Sequence, residues 1–158
     1  MNRIGFGFDV HRLAAGYDLW LGGIKIDYYK GAVGHSDADV IIHAICDALL
    51  GAAALGDIGQ HFPDTDPKFE NIDSKILLRN VCDLLDQNGF EIVNTDCTLA
   101  LQKPKIAEYI PQMRMILAET MKLDAGRISV KATTTENLGF EGRGEGVSCY
   151  AVVMIDQK

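Results

Sequence analysis

The feature that most constrains the fold is a run of apolar residues at helical spacing over residues 40–49, within the segment SDADVIIHAICDALLGAAALG. Apolar side chains recur there every three or four positions, which indicates an α-helix. Ser36 is expected to cap this helix, with Asp39 completing an S-x-x-D capping box, and the helix is expected to stop within residues 51–56. Such a helix has to pack on another layer, and the patterns around it decide what that layer is.

The patterns on both sides of this helix indicate β-strands. Residues 3–9 are expected to form a strand, and a short hairpin is expected to turn at Gly22-Gly23. Two further helices are expected over residues 74–89 and 105–123, and three further strands over residues 90–102, 127–135 and 147–155. Asp73 or Ser74 is expected to cap the first of these helices, and Gly89 to end it. Strands that are interrupted by helices and close on a hairpin predict an α+β fold, or α/β sandwich, with helices on one face. We expect one domain over residues 1–158.

Two segments without a regular period are expected to be loops. Residues 57–73 contain two prolines and four aspartates, and a connection of that length usually forms a binding loop or lid. Residues 137–146, NLGFEGRGEG, form a second loop that is rich in glycine and carries Arg143.

Composition and charge exclude several classes of function. A net charge of −7 argues against a broad nucleic-acid surface, because such binding needs many Lys and Arg side chains on phosphates. No apolar run approaches the roughly 18 residues of a membrane span, and no leader pattern opens the chain. The four cysteines form no C-x-x-C pair and are expected to be core residues in a reducing compartment. We therefore expect a soluble, cytoplasmic protein without a membrane or nucleic-acid partner.

Asp9 and His11 are candidate metal ligands, because residues two positions apart on a strand share one face. His43 in the first helix could supply a third ligand. One carboxylate with two imidazoles suits Zn²⁺ and leaves a fourth tetrahedral position for substrate or water. The alternative is an ordinary strand motif and a structural histidine, since spacing alone does not show that His43 reaches the strand.

Asp39 and Asp47 are candidates to orient His43. They stand four residues before and after it, so either could accept the second ring N–H. For Asp47, an exposed helix carboxylate is the alternative.

Two other clusters suit phosphate. His35 and Ser36 precede the first helix, whose N-terminal N–H groups attract anions. The segment KATTTENLGFEGRGEG brings threonine hydroxyls, Glu136 and Arg143 together, a combination that suits phosphate oxygens and a Mg²⁺ or Mn²⁺ ion between them. Each pattern alone is also typical of a capped helix, a strand end or a plain loop.

The chain resembles the 2-C-methyl-D-erythritol 2,4-cyclodiphosphate synthase family of the non-mevalonate isoprenoid pathway. The resemblance rests on GFDVHRL, HSDADVIIHAICDALLGAAALGDIGQHFPDTD, PQMR and VKATTTENLGFEGRGEG, which follow one another in the family's order. It implies a homotrimer of subunits with a mixed, mainly four-stranded sheet, helices on one face and a small hairpin, and active sites between neighbours. It further implies a lyase that closes 4-diphosphocytidyl-2-C-methyl-D-erythritol 2-phosphate to the cyclic diphosphate and releases CMP.

The resemblance also implies roles for individual residues. Zn²⁺ is held by Asp9, His11 and His43, and Mg²⁺ or Mn²⁺ by Glu136 with the substrate diphosphate. His35 and Thr134 stabilise the transition state. The implied phosphate contacts are Ser36, Thr133, Thr135, Phe140 and Arg143, and the implied methylerythritol contacts are Asp57, Ile58 and Gly59. The implied cytidine contacts are Leu101, Pro104, Lys105 and Ala107. The implied loop over the site consists of Phe62, Pro63, Asp64, Thr65 and Asp66.

The same resemblance implies a cavity on the trimer axis near Phe8, Arg143 and Glu145 that can take an isoprenoid diphosphate. Phe6 and Tyr150 stand where some members of the family have a histidine and an acid. Two other functions stay open from the sequence: a zinc-dependent phosphohydrolase, which would activate water at the open zinc position, and a non-catalytic nucleotide-binding trimer.

Overall fold

A long first strand and the first long helix pack directly on each other in the computed structural model, which describes residues 1–158. The strands are β1 (Asn2–Ala15), β2 (Leu19–Leu21), β3 (Ile24–Ile26), β4 (Lys30–Val33), β5 (Phe90–Ala100), β6 (Ile128–Thr133) and β7 (Gly146–Gln157). The α-helices are α1 (Val40–Ala52), α2 (Ile58–His61), α3 (Ser74–Gln87), α4 (Ile110–Met121) and α5 (Gly139–Gly142). Short 3₁₀ turns cover Pro67–Phe69, Ala107–Tyr109 and Ala125–Arg127. The predicted α+β class is confirmed.

The main sheet has five strands in the order β4-β1-β7-β5-β6, and β2 and β3 form the separate hairpin that was expected at Gly22-Gly23. The prediction of a mainly four-stranded sheet is therefore only approximate. The additional strand is β4, which pairs antiparallel with Arg12–Ala15 of β1, where the pairing of β1 with the start of β7 at Gly146 stops. Its sequence, KGAV, is short and does not alternate, so it gives no strand pattern.

The prediction that the chain closes on a hairpin is also wrong. β6 pairs in parallel with β5, to which it is joined through α4, and β7 lies between β1 and β5, antiparallel to both. β7 has 12 residues, so it can pair with both long strands, whereas β6 has six. Extensive pairing on two sides favours the inner position for β7.

The contact between α1 and β1 depends on two glycines. A Cβ atom on Gly5 would lie 1.9 Å from the carbonyl oxygen of Ala48, and one on Gly7 would lie 2.0 Å from that of Ala44. Any side chain at these positions would push the helix off the sheet. The core is formed by α1, which is buried along almost its whole length, together with α3, α4 and one face of the sheet.

The first helix begins later than the capping prediction places it. Asp39, not Ser36, is its N-cap, and the Asp39 carboxylate accepts from the backbone N–H of Ile42 at 3.1 Å. The same carboxylate accepts from Gly22 and Gly23 at 2.9 and 2.7 Å, so it also holds the β2–β3 turn against the helix. A fully buried carboxylate satisfied by three N–H groups competes successfully with a half-buried hydroxyl cap.

The two expected loops contain short helices. Residues 57–73 include α2 and one 3₁₀ turn, and the glycine-rich segment includes α5. Each short helix has four residues, which is below the length that periodicity can identify. All four cysteines are free and three are buried.

The sheet face opposite the helices is open. It presents Ile4, Phe6 and Phe8 from β1 and Tyr150 and Val152 from β7, with between 42% and 69% of each residue exposed. None of the helices has the length and apolar character that crossing a membrane requires.

Candidate metal centre and active site

Three side chains converge at the carboxyl-terminal half of β1. The Asp9 Oδ2 atom lies 2.8 Å from His11 Nε2 and 3.1 Å from His43 Nδ1, and the two ring nitrogens are 3.3 Å apart. Ligand atoms about 2.0 Å from a tetrahedral zinc ion stand roughly 3.3 Å from one another. The three groups could therefore hold a metal ion with little movement, and the predicted meeting of His43 with the strand is confirmed.

Local structure places each of these ligands. Asp9 and His11 alternate onto the helix-facing side of β1, and His43 ends the first turn of α1. The absence of side chains at Gly5 and Gly7 lets α1 approach closely enough for the His43 ring to meet the strand residues. The metal centre is thus a consequence of the close packing of one helix on one strand.

The ionisation of these groups favours a charged cluster when no metal is bound. Burial raises the pKa of the Asp9 carboxyl, but hydrogen bonds and charges from His11 and His43 outweigh it and lower the pKa to about 2. Burial lowers the pKa of His43, but the Asp9 carboxylate, with Asp39 and Asp37 further away, raises it above its ordinary value. Asp9 is therefore ionised, which suits a metal ligand, and a proton competes with a metal ion for His43.

The second ring nitrogen of His43 meets two hydroxyls. Its Nε2 atom lies 2.9 Å from Ser74 Oγ and 3.0 Å from Ser36 Oγ. The prediction that Asp39 or Asp47 orients this ring is wrong. Asp39 is occupied as the helix cap, and Asp47 accepts from the backbone N–H of Ile58 at 3.2 Å.

A cavity of about 450 Å³ opens beside the three ligands. Apart from the ligands themselves, the predicted site residues that line it are His35, Ser36, Ile58, Gly59, Phe62, Pro63 and Asp64. The other predicted residues of this segment, Asp57, Thr65 and Asp66, lie next to the lining; Asp57 caps α2 and Asp66 caps the following 3₁₀ turn. The structure thus brings together the metal ligands, the start of α1 and the 57–66 segment.

The 57–73 segment is attached to the residues before α1. His35 Nε2 lies 3.2 Å from the carbonyl oxygen of Asp66, and the His35 carbonyl accepts from the N–H of Asn71 at 2.7 Å. Asp37 N–H donates to the carbonyl of Ile72 at 3.1 Å. These bonds hold the segment over the cavity.

The remaining predicted residues, apart from Phe140 and Arg143, form a second group at the far edge of the sheet. Thr133 ends β6 and accepts from Leu101 N–H at 3.0 Å, so the threonine run lies beside the start of the 101–107 segment. Thr133, Thr134 and Glu136 are exposed, and Glu136 adopts a positive φ of 53°. That is an uncommon conformation for a residue with a side chain.

The other predicted residues are accessible or half-buried except Leu101, and Phe140 and Arg143 lie beside the start of β7, where the Leu13 N–H of β1 donates to the Glu145 carbonyl at 2.9 Å. Thr135 Oγ1 donates to the Leu138 carbonyl at 2.6 Å, and Arg143 forms an exposed two-point ion pair with Glu145 at 2.8 and 3.2 Å. Phe140 packs against Gly146, Lys105 and Ala107 are exposed, and Pro104 is half-buried; Leu101 is buried.

Within one chain the two groups are apart. Asp9, Cys149, Leu99 and Ala132 stand in one row across β1, β7, β5 and β6. At about 4.8 Å per strand, the β1 and β6 positions in that row are separated by roughly 14 Å. The metal ligands and the Thr133–Glu136 group therefore do not share a pocket within one chain.

Sequence reasoning missed Ser74 and Asp37 at this site, and the cavity-lining Phe69, Ile72 and Leu77. Ser74 was expected only as a possible helix cap. It stands 31 residues from His43, and no motif connects the two. Only the packing of α3 on α1 brings them together.

Comparisons with known proteins agree with this geometry. A family model described as the YgbB family matches residues 2–156. The 2-C-methyl-D-erythritol 2,4-cyclodiphosphate synthase of Porphyromonas gingivalis strain W83 is 59% identical over 153 residues, or 97% of this chain and 94% of that protein.

Solved structures are also similar. The bifunctional IspDF of Campylobacter jejuni superposes with a TM-score of 0.96 and 44% identity over 100% of this chain, which spans 43% of that longer protein. IspF of Plasmodium falciparum, solved as a CDP complex, has a TM-score of 0.87 and 33% identity, covering 99% of this chain and 97% of that one. The matched range and these identities show that this chain, which is similar to 2-C-methyl-D-erythritol 2,4-cyclodiphosphate synthases, belongs to the YgbB family.

Proposed function

We propose that this protein is a metal-dependent lyase that converts 4-diphosphocytidyl-2-C-methyl-D-erythritol 2-phosphate to 2-C-methyl-D-erythritol 2,4-cyclodiphosphate and CMP. The observation that carries the proposal is the convergence of Asp9, His11 and His43 beside a lidded cavity in a chain 59% identical to such a synthase. An oxygen of the 2-phosphate forms a bond to the β-phosphorus. The bond from that phosphorus to the bridging oxygen breaks, and the electron pair leaves with CMP.

This reaction brings two polyanionic groups together, so positioning and charge neutralisation supply most of the catalysis. Zn²⁺ on the three ligands and Mg²⁺ or Mn²⁺ on Glu136 supply Lewis-acid stabilisation of the phosphate oxygens when bound. One carboxylate and two imidazoles are a ligand set that suits zinc and leaves one position open. The exposed Glu136 carboxylate suits an ion shared with a diphosphate.

The chain's own residues bind and orient the substrate. His35 and Thr134 are the proposed transition-state partners, with Ser36, Thr133 and Thr135 on phosphate oxygens. Residues 57–59 are proposed to hold the methylerythritol, and residues 62–66 to exclude water from above. The cytidine is proposed to lie along residues 101–107, and Phe140 and Arg143 to complete the phosphate side.

We propose a homotrimer with active sites between neighbours, and two observations support association of the subunits. The two groups of site residues are roughly 14 Å apart within one chain, too far for one short diphosphate to touch both groups closely. The open sheet face is strongly apolar, with Ile4 69% and Phe6 61% exposed, which is typical of an interface. We propose that packing of these faces brings residues 101–107 and 133–136 of one subunit beside the metal ligands of the next.

We further propose that one domain over residues 1–158 performs the reaction in the cytoplasm, with the cytidyl diphosphate as its small-molecule substrate. The cavity that the trimer would enclose near Phe8, Arg143 and Glu145 is proposed to take an isoprenoid diphosphate.

The direct test is incubation of the protein with the cytidyl substrate, Zn²⁺ and Mg²⁺, followed by phosphorus NMR and measurement of CMP. Equal amounts of cyclic diphosphate and CMP are expected. Free phosphate or an acyclic diphosphate would instead identify a zinc-dependent phosphohydrolase, and tight CDP binding without turnover would identify a nucleotide-binding protein.

A further inference from the structure

The ring of His43 has separate partners for its two nitrogens. Nδ1 faces Asp9 and His11, whereas Nε2 faces Ser74 Oγ at 2.9 Å on the opposite side of the ring. Ser74 is fully buried, and its hydroxyl is also hydrogen-bonded to the Asp37 carboxylate. The other oxygen of that carboxylate, Oδ2, accepts from the Ser74 backbone N–H at 2.9 Å.

The direction of these bonds follows from the inventory of protons. An ionised carboxylate can only accept hydrogen bonds, so the single hydroxyl proton of Ser74 must point to Asp37. The Ser74 oxygen can then only accept from the ring, and His43 Nε2 must carry the proton. A neutral ring with its proton on Nε2 has its lone pair on Nδ1, the atom that faces the other two metal ligands. In the metal-free protein the Asp9 carboxylate, 3.1 Å from Nδ1, competes for the ring proton, and a cation bound between them removes that competition.

We propose that Asp37 and Ser74 are positioning residues that fix the tautomer and orientation of His43 for a divalent cation. The inference deepens the proposed function and rests on it for the identity of the cation. Neither residue offers a ligand atom to the cation: Ser74 contacts His43 only at Nε2, and Asp37 contacts Ser74. They act through the ring N–H, in the way that outer partners of metal-bound histidines raise metal affinity.

The pair also connects the metal centre to the cavity segment. Asp37 N–H donates to the Ile72 carbonyl at 3.1 Å, and Ser74 follows this segment as the first residue of α3. Asp37 therefore both holds the end of the 57–73 segment and, through Ser74, orients the His43 ring. Ser36 Oγ also lies 3.0 Å from Nε2, but its contacts include no carboxylate that would dictate the direction of its proton.

The first test is zinc affinity, measured by competition with a chromophoric chelator. Ser74→Ala removes the acceptor and is expected to weaken zinc binding by about 10–100-fold. Ser148→Ala is a matched control, because Ser148 is equally buried and donates to a carboxylate, Glu141 Oε1, at 2.7 Å without touching His43. The control is expected to keep the zinc affinity of the unaltered protein.

The second test distinguishes orientation from simple structural support. In Asp37→Asn, the amide NH₂ has to face either the Ser74 backbone N–H, which donates to Oδ2 at 2.9 Å, or the Asp39 backbone N–H, which donates to Oδ1 at 3.2 Å. The shorter bond favours the amide oxygen at the Ser74 N–H, so the NH₂ faces the Ser74 hydroxyl and reverses its direction. Ser74 would then donate to Nε2, and the proton of the neutral His43 ring is expected to move towards Nδ1. The tautomers can be read from ¹⁵N chemical shifts of the metal-free protein at a pH well above the ring's pKa. Nε2–H is expected to be more populated in the unaltered protein than in Asp37→Asn.

The outcomes separate this inference from the proposed function. The same tautomer populations in the unaltered protein and in Asp37→Asn, or zinc affinity within about twofold of normal in both Ser74→Ala and Asp37→Asn, overturn the role of the pair. If Ser74→Ala does not fold, Asp37→Asn decides by both readouts. Normal zinc binding with the Nε2–H tautomer but no CMP release removes the proposed reaction and leaves the positioning role intact.

Discussion

His43 is the residue on which the metal centre most depends, because it alone comes from the helix layer. Asp9 and His11 lie on one strand and present two ligand atoms, which is one fewer than a catalytic zinc site normally takes from the protein. The third ligand arrives only when α1 is docked on β1.

His43→Ala is expected to lose zinc, with affinity weakened more than about 100-fold, because even outer partners of such a histidine contribute 10–100-fold. Metal content after dialysis and chelator competition measure the effect. His61→Ala is the matched control, since that ring is also partly buried but bonds the Leu55 carbonyl, away from the three ligands. Full zinc content in His43→Ala would refute the three-ligand site.

Glu136→Gln is expected to keep zinc and to lose turnover by at least about 100-fold, because it removes the charge that would hold the second cation. The measurement is CMP release at saturating Mg²⁺, together with zinc content. Glu119→Gln, at an exposed carboxylate on α4, should change neither quantity. An unchanged rate in Glu136→Gln would remove Glu136 from the reaction.

The raised pKa of His43 predicts how pH affects the metal-free protein. A group whose pKa is higher in the folded than in the unfolded state contributes stability below its unfolded value, here 6.5, and loses it as pH rises through the folded value. The free energy of unfolding should therefore decrease above pH 6.5 in the presence of chelator. With zinc it should increase over the same range, because zinc displaces the proton.

Urea unfolding with and without chelator, at several pH values, measures this difference. His43→Gln should remove most of the decrease seen with chelator. Parallel curves with and without zinc would contradict the assignment of His43 as a ligand.

At the scale of secondary structure, the packing of α1 on β1 decides both stability and metal binding. Gly7→Ala would put a Cβ atom 2.0 Å from the Ala44 carbonyl oxygen and 2.7 Å from the Ala48 nitrogen. We expect the free energy of unfolding to fall by at least about 3 kcal/mol, since helix backbone cannot move aside as a side chain can. Zinc affinity should fall too, because His43 moves with the helix.

Gly51→Ala is the control for this change. Gly51 lies inside α1 with open space around it, so the substitution should raise the stability by up to about 1 kcal/mol through helix propensity. Chemical denaturation and zinc competition are the measurements. Equal stability of the two variants would show that the close approach of α1 does not depend on Gly7.

The elements that could be predicted were those with a pattern long enough to read. Helix α3 follows the prediction, with Asp73 as its cap and Gly89, at a φ of +77°, just beyond its end. β4 and α2 were missed because each has four residues, which are too few to show a hydrophobic period. The inner position of β7 was missed because strand order depends on long-range pairing, which alternation within one strand does not encode.

At the scale of the whole molecule, the open sheet face predicts association. Phe6→Asp places a charge on this face where 61% of the residue is exposed, so it should change the stability of a single subunit by only about 0.5 kcal/mol. If the face is buried between subunits, the variant should sediment as a monomer. It should keep zinc, whose ligands come from one chain, and lose turnover.

Met115→Asp is the matched control, because Met115 on α4 is 69% exposed but lies on the other side of the molecule. Sedimentation velocity and CMP release measure both variants. A fully active monomer of Phe6→Asp would reject active sites shared between subunits.

The candidate site was predictable to the extent that its residues lie in recognisable motifs. Asp9, His11 and His43 were identified from alternation and helical position, and the structure brings them together. Asp37 and Ser74 could not be identified, because their contact joins the start of one helix to the start of another across 37 residues. Their role depends on the direction of the hydrogen bond from the Ser74 hydroxyl, and only the neighbouring residues in the folded structure determine that direction.

The inner position of β7 has a consequence for synthesis of the chain on the ribosome. β1 ends at Ala15, but its longest partner begins only at Gly146, so the first strand is made 131 residues before its neighbour. At translation rates of about 5–20 residues per second, that interval is on the order of 10 s. Throughout it, residues 2–11 of the nascent chain lack their partner strand, and this stretch, with Phe6 and Phe8, presents a strand edge to which other nascent polypeptides can add.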